Sequence, residues 1–234
     1  MPIYPAQDVV SLGLVQIPEI AVSRGINQLD ISKGMGPDGV PPILLRQCSE
    51  NLTSPLTSLF NKSLMSGHFP MRWKSSFITP VPKAGDRSIV KHYRPVCSLS
   101  TIPKLFEKLV VEQLTPQFSS FICSEQHGFL RGRSTTTNLM VFQDFVLDGF
   151  LDGVQTDVIS TDFAKAFDKS SHNHFLSLLG SLGVHGPFLE WMRSYLCDRK
   201  LIVRVRGHLS FFRHFLLHLA FLKAAIWDPC ASYS

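Results

Sequence analysis

The 234-residue sequence lacks any closely spaced pair of cysteines. Its five cysteines lie far apart, at Cys48, Cys97, Cys123, Cys197 and Cys230. A zinc module usually takes two of its ligands from a C-x-x-C pair, and small secreted domains are usually held by dense disulfides. The spacing therefore argues against both classes and predicts reduced thiols in an intracellular protein, in the cytoplasm or the nucleus.

Long uninterrupted apolar runs are also missing. The most apolar stretch, residues 211–227, is broken four times by basic residues or histidine, and it falls short of the roughly 20 apolar residues that a membrane-spanning helix needs. The first eight residues contain no basic segment followed by an apolar run, so no signal peptide is predicted. We expect no transmembrane segment and no membrane partner.

Charge of one sign is only slightly in excess. The formal net charge is +5, from 23 Lys and Arg against 18 Asp and Glu. An apolar fraction of 44% is typical of a globular chain and not of a disordered one. The balance fits contact with phosphates, but many unrelated enzymes share it, so charge alone does not decide the function.

Hydrophobic periodicity predicts more helices than strands. The predicted helices are 18–30, 43–67 with Ser54 as an N-cap before Pro55, 99–114, 135–153, 173–182 and 187–196. The predicted strands are 73–83 and 154–160, and the alternation in KLIVRVRG (200–207) predicts a β-hairpin. Because strands do not alternate regularly with helices, we expect an α+β, helix-rich fold.

The segment DVISTDFAKAFDKSSH (157–172) carries the clearest chemistry. The predicted strand runs almost directly into Asp162, and Asp168 follows six residues later. A carboxylate at the end of an apolar strand is costly unless it is solvated or binds a cation, and phosphoryl-transfer sites use this placement to hold Mg²⁺. The alternative is that Asp162 caps the helix it opens. The segment alone leaves both interpretations open.

The letters HNH at His172–His174 could suggest a metal site together with Asp168. Two histidines at positions i and i+2 do not share a helix face, and no second ligand cluster is present in the sequence. We therefore disfavour a metal site at this position.

Five sequence blocks, in order, resemble the reverse transcriptases of non-LTR retrotransposons, especially the jockey-like group. They are GPDGVPPILL (36–45), W…PVPKAGDRSIVKHYRPVCSLSTIPKLFEKLV (73–110), SEQHGFLRGRSTTTNLM (124–140), TDFAKAFDK (161–169) and GVHGPFLEWMRSYLCDRKLIVRV (183–205). Any one block would be weak, but five in the right order are specific. The resemblance implies an RNA-directed DNA polymerase that uses Mg²⁺, an RNA template, a DNA primer and dNTPs.

The same resemblance implies the domain organisation of a right-hand polymerase, with fingers and an incomplete palm. Residues 1–35 would be a helical lead-in, 36–153 the fingers and 154–210 a partial palm. Residues 211–234 would be an out-of-frame tail that follows a frameshift.

The resemblance also implies roles for residues at the catalytic segment. Asp162 would be the first metal-binding aspartate of the palm, with the carbonyl of Phe163 as a further ligand. Phe167 would be the steric gate that crowds a ribose 2′-OH and so favours deoxynucleotides. A core aromatic side chain is the alternative for Phe167, and the two roles are compatible.

Six more residues would contact nucleotide or nucleic acid if the resemblance holds. Lys83, Arg87 and Arg94 would lie near the incoming triphosphate or the template, where lysine suits a phosphate as a point charge and arginine as a bidentate fork. A solvated turn is the alternative for Lys83 and Arg87. The cluster on the nucleic-acid track would be Arg131, Arg133 and Ser134. The alternative for Ser134, or for Thr135 beside it, is a helix N-cap.

The sequence lacks the second set of carboxylates that this family supplies from an adjacent Asp-Asp pair. After Asp168, the acidic residues are Glu190, Asp198 and Asp228, and no two aspartates are adjacent anywhere. Two-metal catalysis needs carboxylates from two segments of the chain. The two metal ions share ligands and stabilise the attacking and the leaving oxygen of the transferred phosphate. We therefore expect the chain to be inactive as a polymerase. The alternatives are a non-catalytic RNA- or DNA-binding module and a functionless translation of a decayed element.

A frameshift would explain this absence. The family continues with a block similar to SGVPQGSHLGPL, whereas this chain has LAFLKAAIWDPC at 219–230. Allowed codons for that peptide, regrouped one nucleotide before the first alanine codon, encode GVPQGSHLGPL. We therefore expect a frameshift between about Gly207 and Leu217, with out-of-frame peptide after it.

Overall fold

The computed structural model describes residues 10–83, 85–128, 130, 132–161, 171–205 and 208–213. The chain forms two compact units. The first consists of Met1–Gln117 and Ser171–Leu216, and the second of Phe118–Ser170 and Leu217–Ser234. The described residues form seven α-helices and one four-stranded sheet. The mixed, helix-rich fold is thereby confirmed, whereas the division into fingers and palm and the predicted domain bounds stay predictions.

The predicted hairpin is present, and so are the predicted helices, except that the single helix predicted over 43–67 is divided at Cys48 into two. The helices are α1 (Glu19–Asn27), α2 (Pro42–Gln47), α3 (Ser49–Met65), α4 (Thr101–Phe118), α5 (Thr135–Leu151), α6 (His172–Ser181) and α7 (Gly186–Leu196). The strands are β1 (Ser75–Pro82), β2 (Tyr93–Leu99), β3 (Lys200–Val205) and β4 (His208–Arg213). None of the helices in the described ranges is long and apolar enough to cross a membrane. The four described cysteines are free.

An aromatic cluster forms the core of the first unit. The rings of Phe60 on α3 and Phe106 on α4 stack with centroids 4.4 Å apart, and Trp191 on α7 meets Phe106 edge-on at 5.3 Å. The indole Nε1 of Trp191 donates a hydrogen bond to the Ser63 hydroxyl at 3.0 Å, and that hydroxyl donates to the carbonyl of His68 at 2.6 Å. The cluster thus joins α3, α4 and α7. The buried polar atoms of Trp191 and Ser63 are both hydrogen-bonded, as buried polar atoms usually are.

The sheet of the first unit has the strand order β2-β1-β3-β4. β1 pairs antiparallel with β2 and parallel with β3, and β3 pairs antiparallel with β4. Successive strand residues point to opposite faces, and Ser76, Ile78 and Leu201 on one face are buried. We call this the inner face and the opposite one the outer face.

Helix α5 dominates the described part of the second unit. None of its residues is buried, and its large apolar side chains are exposed, among them Leu139, Phe145 and Phe150 at 65–67%. Its C-terminus is followed by Gly153 at φ +69°, a left-handed conformation that suits glycine. The predicted end of this helix on Gly153 is confirmed to within two residues.

Two predictions from local sequence are wrong. Residues 154–160 form no strand, and Ile159 is 89% exposed; a strand requires a hydrogen-bonded neighbour, and none pairs with this segment among the described residues. Ser54 is not an N-cap, since α3 begins at Ser49 and includes Pro55 in its interior. The turn before Pro55 is held by the Thr53 hydroxyl, which donates to the Ser49 carbonyl at 2.7 Å.

Candidate nucleic-acid interface

Basic side chains lie on the outer face of the sheet. Residues paired across neighbouring strands share a face, and the register pairs Arg94 with Val81, Lys200 with Ser75, and Arg204 with Leu209. All three basic residues are exposed. The family resemblance had singled out Arg94, and the structure adds two further cations on the same face.

No acidic residue offsets these charges within the sheet. None of the residues of the four strands is Asp or Glu. The positive charges on the outer face therefore have no counter-charge in the strands that carry them, and a surface of this kind attracts phosphates over a distance set by the salt concentration.

An aromatic side chain lies among these cations. Phe77 on β1 pairs with Ile202 on β3 and with Ser98 on β2, so its ring lies in the middle of the outer face, where it is half-buried. The guanidinium carbon of Arg204 lies 4.9 Å from the centre of the Phe77 ring. An arginine over an aromatic ring presents a planar, positively charged surface on which a base can stack.

Lys83 and Arg87 belong to the connection between β1 and β2, which is built by its own hydrogen bonds. The backbone N–H of Lys83 donates to the carbonyl of His92 at 2.7 Å, and the hydroxyl of Tyr93 donates to the carbonyl of Arg87 at 2.8 Å. Both basic side chains are exposed. The solvated-turn alternative therefore describes their surroundings, and a nucleotide-binding role stays a prediction.

Asp86 supplies internal bonds to the same connection. Hydrogen bonds from the backbone N–H of Ser88, at 2.9 Å, and from its hydroxyl hold the pKa of Asp86 below its usual value. Gly85 has φ +115°, and a Cβ there would lie 2.8 Å from the His92 ring. The backbone between the two strands is thus fixed by residues that sequence analysis did not single out.

In the second unit, Arg133 and Ser134 have structural partners. The Arg133 guanidinium donates to the carbonyls of Ser124 and Gln126. The Ser134 hydroxyl accepts from the backbone N–H of Thr137 at 3.1 Å, and the Thr137 hydroxyl accepts from the Ser134 N–H at 2.9 Å, forming a capping box. The N-cap alternative is confirmed for Ser134, and contact with nucleic acid stays a prediction.

The residues predicted for the catalytic centre lie outside the described residues. These are Asp162, Phe163 and Phe167, as well as Arg131 on the predicted nucleic-acid track. Their predicted roles are neither supported nor contradicted by the structure.

The described ranges bring together no group of three or more His, Cys, Asp or Glu side chains that could hold a metal ion. Two of the acidic residues that follow Asp168 have other surroundings. Glu190 pairs with Arg193 on the same helix at 3.3 Å, and Asp198 lies in a turn at φ +57°. These residues do not fit a two-metal centre, and no metal-dependent step follows from their geometry.

Sequence analysis missed Phe77, Lys200 and Arg204. A signal was present for the last two, because the alternation in KLIVRV places Lys200, Ile202 and Arg204 on one face of a strand. No local signal placed Phe77 beside them, since β1 and β3 are far apart in sequence and their parallel register is set by the tertiary fold.

Comparison with known proteins agrees with the family resemblance. Residues 81–217 match the family described as reverse transcriptase (RNA-dependent DNA polymerase). The chain is 28% identical over 209 residues to "Probable RNA-directed DNA polymerase from transposon BS" of Drosophila melanogaster, covering 88% of this chain and 23% of that protein. It is 27% identical over 209 residues to "RNA-directed DNA polymerase from mobile element jockey" of the same organism, covering 88% and 22%.

A third relative is "Retrovirus-related Pol polyprotein from type-1 retrotransposable element R1" of Bradysia coprophila. It is 28% identical over 185 residues, which cover 77% of this chain and 18% of the relative. The chain spans less than a quarter of the length of these curated relatives. Since the family match covers more than half of the chain, the protein belongs to the reverse transcriptase family and is related to the RNA-directed DNA polymerases of non-LTR retrotransposons.

Proposed function

We propose that this chain binds single-stranded nucleic acid through the outer face of its sheet, as a non-catalytic fragment of a non-LTR retrotransposon RNA-directed DNA polymerase. Its natural ligand would be the RNA template, with a DNA primer and dNTP as further ligands of the intact enzyme. The observation that carries the proposal is the acid-free outer face with Arg94, Lys200 and Arg204 around Phe77.

The chemistry of this face favours a single strand. Its cations can follow a phosphate backbone, and the Arg204–Phe77 pair can take an unpaired base, which a duplex keeps inside its own stack. Lys83 and Arg87 would extend the cationic surface along the β1–β2 connection, towards a template strand or an incoming triphosphate. Arg131, Arg133 and Ser134, which belong to the second unit, would be further contacts to nucleic acid.

Catalysis in the intact family would use Asp162 and the Phe163 carbonyl as ligands for Mg²⁺, which would polarise the phosphate under attack, with Phe167 excluding ribonucleotides. This chain has no adjacent Asp pair to complete the ligand set. A single aspartate does not hold two metal ions in the arrangement that phosphoryl transfer needs. We therefore propose that the chain does not polymerise DNA.

The binding proposal is tested by fluorescence anisotropy with a labelled 15-nucleotide RNA. The variant Arg94→Ala/Arg204→Ala should bind more weakly than the wild type, and the slope of log affinity against log salt should fall by about 1.4, since each phosphate contact on a single strand contributes about 0.7. A charge-matched control, Arg46→Ala/Lys62→Ala, removes exposed cations from α2 and α3. Equal loss of affinity in both variants would contradict a specific role for the outer face. Absence of salt-dependent binding in the wild type would favour a functionless translation product.

The inactivity proposal is tested by primer extension on an RNA template with Mg²⁺ and dNTPs. No extension is expected from the wild type under conditions in which a full-length relative extends the primer. Any extension that Asp162→Ala abolishes would show that the chain completes its metal site, and would overturn the proposal.

The origin of the missing carboxylates is tested at the level of the gene. The family match ends at residue 217, the upper bound of the interval predicted for the frameshift, and this supports the out-of-frame tail. The nucleotide sequence should encode GVPQGSHLGPL in the shifted frame, followed by an Asp-Asp pair. A different shifted-frame peptide would rule out the frameshift.

A further inference from the structure

A buried pair of opposite charges lies beside the first residue of the β3–β4 hairpin. Glu107 projects from α4, and Arg199 is the last of the three residues between α7 and β3. Each side chain is only 7% exposed, and Arg199 Nη2 lies 3.8 Å from Glu107 Oε1. That distance permits electrostatic attraction but is too long for a hydrogen bond.

Tyr195, in the last turn of α7, links the two charged side chains. Its hydroxyl forms a hydrogen bond with the Glu107 carboxyl. The Arg199 guanidinium carbon lies 4.3 Å from the centre of the Tyr195 ring, and Arg199 Nη1 donates to the Tyr195 carbonyl at 3.1 Å. Arg199 is therefore held from two directions, whereas Glu107 Oε1 is buried without a hydrogen-bond partner.

The position of this pair connects it to the outer face. Lys200, the residue after Arg199, makes the first pairing of β3 with β1, opposite Ser75. A shift of one residue at this point would exchange the inner and outer faces of β3. Lys200 and Arg204 would then leave the outer face, and Leu201 would leave the core.

We propose that Glu107 and Arg199 act as positioning residues, which fix the β3–β4 hairpin on β1 and thereby hold the cations of the outer face in place. Neither residue touches the nucleic acid in this arrangement, because both lie on the buried side of the sheet. Their effect on binding is transmitted through the first residue of β3.

The protonation of Glu107 gives this arrangement a measurable signature. Burial raises the pKa of Glu107 to about 7, which the charge of Arg199 opposes, as do the Tyr195 hydroxyl and Lys104 on the same helix. The Cys97 thiol on β2 also faces this cluster, and burial raises its pKa. Arg199 Nη2 lies 3.8 Å from Glu107 Oε1, and Arg199 directly precedes β3. If Arg199 moves with the hairpin when it lifts, water reaches the carboxyl and its pKa returns towards 4.5.

The coupling between proton binding to Glu107 and opening of the hairpin determines how pH affects opening. The closed hairpin holds the Glu107 proton more tightly than the open one, so raising the pH from about 5 to 7 favours opening. The desolvation cost of the ionised carboxylate exceeds its attraction to Arg199, as is common for buried ion pairs. The hairpin should accordingly be held more firmly below pH 7 than above it.

Hydrogen–deuterium exchange of the β3 and β4 amides tests the proposal without nucleic acid. After correction for the intrinsic pH dependence of exchange, their protection factors in the wild type should fall by up to about tenfold per pH unit between pH 5 and 7. In Glu107→Gln, which resembles the protonated carboxyl in shape, this pH dependence should vanish. Amides of α5, in the other unit, serve as the internal control. An equal pH dependence in wild type and Glu107→Gln would overturn the proposal.

Arg199→Lys separates positioning from general stability. Lysine keeps the charge but loses the planar stack on Tyr195, so hairpin amides should lose protection while α1 amides, which lie elsewhere in the same unit, change little. A uniform loss across α1, β3 and β4 would indicate a purely structural role and would contradict the proposal.

RNA affinity provides the second measurement, and this arm alone rests on the proposed function. Wild-type affinity should fall as the pH rises from about 5 to 7, and the affinity of Glu107→Gln should stay level. If the exchange result holds while no variant binds RNA, the proposed function fails and the positioning of the hairpin stands. If RNA binds with the same pH dependence in both proteins, the positioning proposal fails.

Discussion

The guanidinium of Arg204 lies over the ring of Phe77, 4.9 Å from its centre, on a pair of strands that are joined in parallel. Arg204 comes two residues after Ile202, the direct partner of Phe77, so the contact is a diagonal one across the two strands. A basic side chain and an aromatic ring are thereby brought together on an exposed sheet surface without an acidic neighbour in the strands.

Removing this stack should weaken RNA binding even when the positive charge is kept. Arg204→Lys keeps the positive charge but lacks the planar guanidinium, and Phe77→Leu keeps the apolar volume but lacks the ring. Each should cost about 1–3 kcal/mol of binding free energy for the base that stacks there, measured by anisotropy with a single-stranded RNA. The salt slope of Arg204→Lys should remain that of the wild type. A lower slope with unchanged low-salt affinity would contradict the stacking role.

The buried hydrogen-bond chain Trp191–Ser63–His68 should contribute measurably to the stability of the first unit. Ser63→Ala would leave the indole Nε1 of Trp191 and the carbonyl of His68 without this partner in a region closed to water. The expected loss is about 1–3 kcal/mol in the free energy of unfolding, measured by urea denaturation. The control is Ser58→Ala, at an exposed position of the same helix, which should change stability by less than about 0.5 kcal/mol. Equal effects from both substitutions would rule out the proposed contribution.

The elements that could be predicted from the sequence are those whose pattern is local. The apolar positions Leu56, Phe60 and Leu64 recur at helical spacing and are buried in α3 as that spacing requires. The alternation of apolar and basic residues at 200–205 is also a local pattern, and it correctly predicted the hairpin. The segment 154–160 contains the β-branched residues Val154, Val158 and Ile159, but a strand exists only with a neighbour, which local sequence does not specify.

The residues of the candidate site likewise divide into those that the sequence could identify and those that it could not. Arg94 could be identified because its sequence block resembles those of a known family. The Phe77–Arg204 contact depends on the parallel register between β1 and β3, and no pattern within either strand specifies that register. Glu107 was also unpredictable, since a glutamate within a helical pattern is normally placed on the solvent side, whereas here Tyr195 and Arg199 surround it.

The capping box at Ser134 should stabilise the start of α5. Ser134→Ala removes the acceptor for the Thr137 N–H and is expected to cost about 1 kcal/mol, whereas Ser134→Asp preserves an N-cap acceptor and should cost much less. Exchange protection of the first-turn amides of α5 measures the difference. If both variants retain wild-type protection, the cap contributes little. If RNA affinity falls in Ser134→Asp while protection is kept, Ser134 contacts nucleic acid as well.

Burial of Glu107 should make the whole first unit less stable as the pH rises. Its folded pKa of about 7 lies above the ordinary value of 4.5, mainly because of burial. The folded state therefore binds this proton more tightly than the unfolded state, and the stability present below pH 4.5 is lost as the pH rises towards 7. The loss amounts to about 3.5 kcal/mol at most, since each unit of pKa difference corresponds to about 1.4 kcal/mol.

The measurement is the difference in unfolding free energy between wild type and Glu107→Gln, each determined in urea at pH 5 and pH 8. The comparison cancels the contributions of other titrating groups, because both proteins share them. Glu107→Gln should be the more stable protein at pH 8, and its advantage should shrink at pH 5, where the wild-type carboxyl is largely protonated. The opposite order at pH 8 would mean that the ionised carboxylate gains more from Arg199 and Tyr195 than burial costs it. In that case the charged pair, and not the protonated carboxyl, would hold the hairpin.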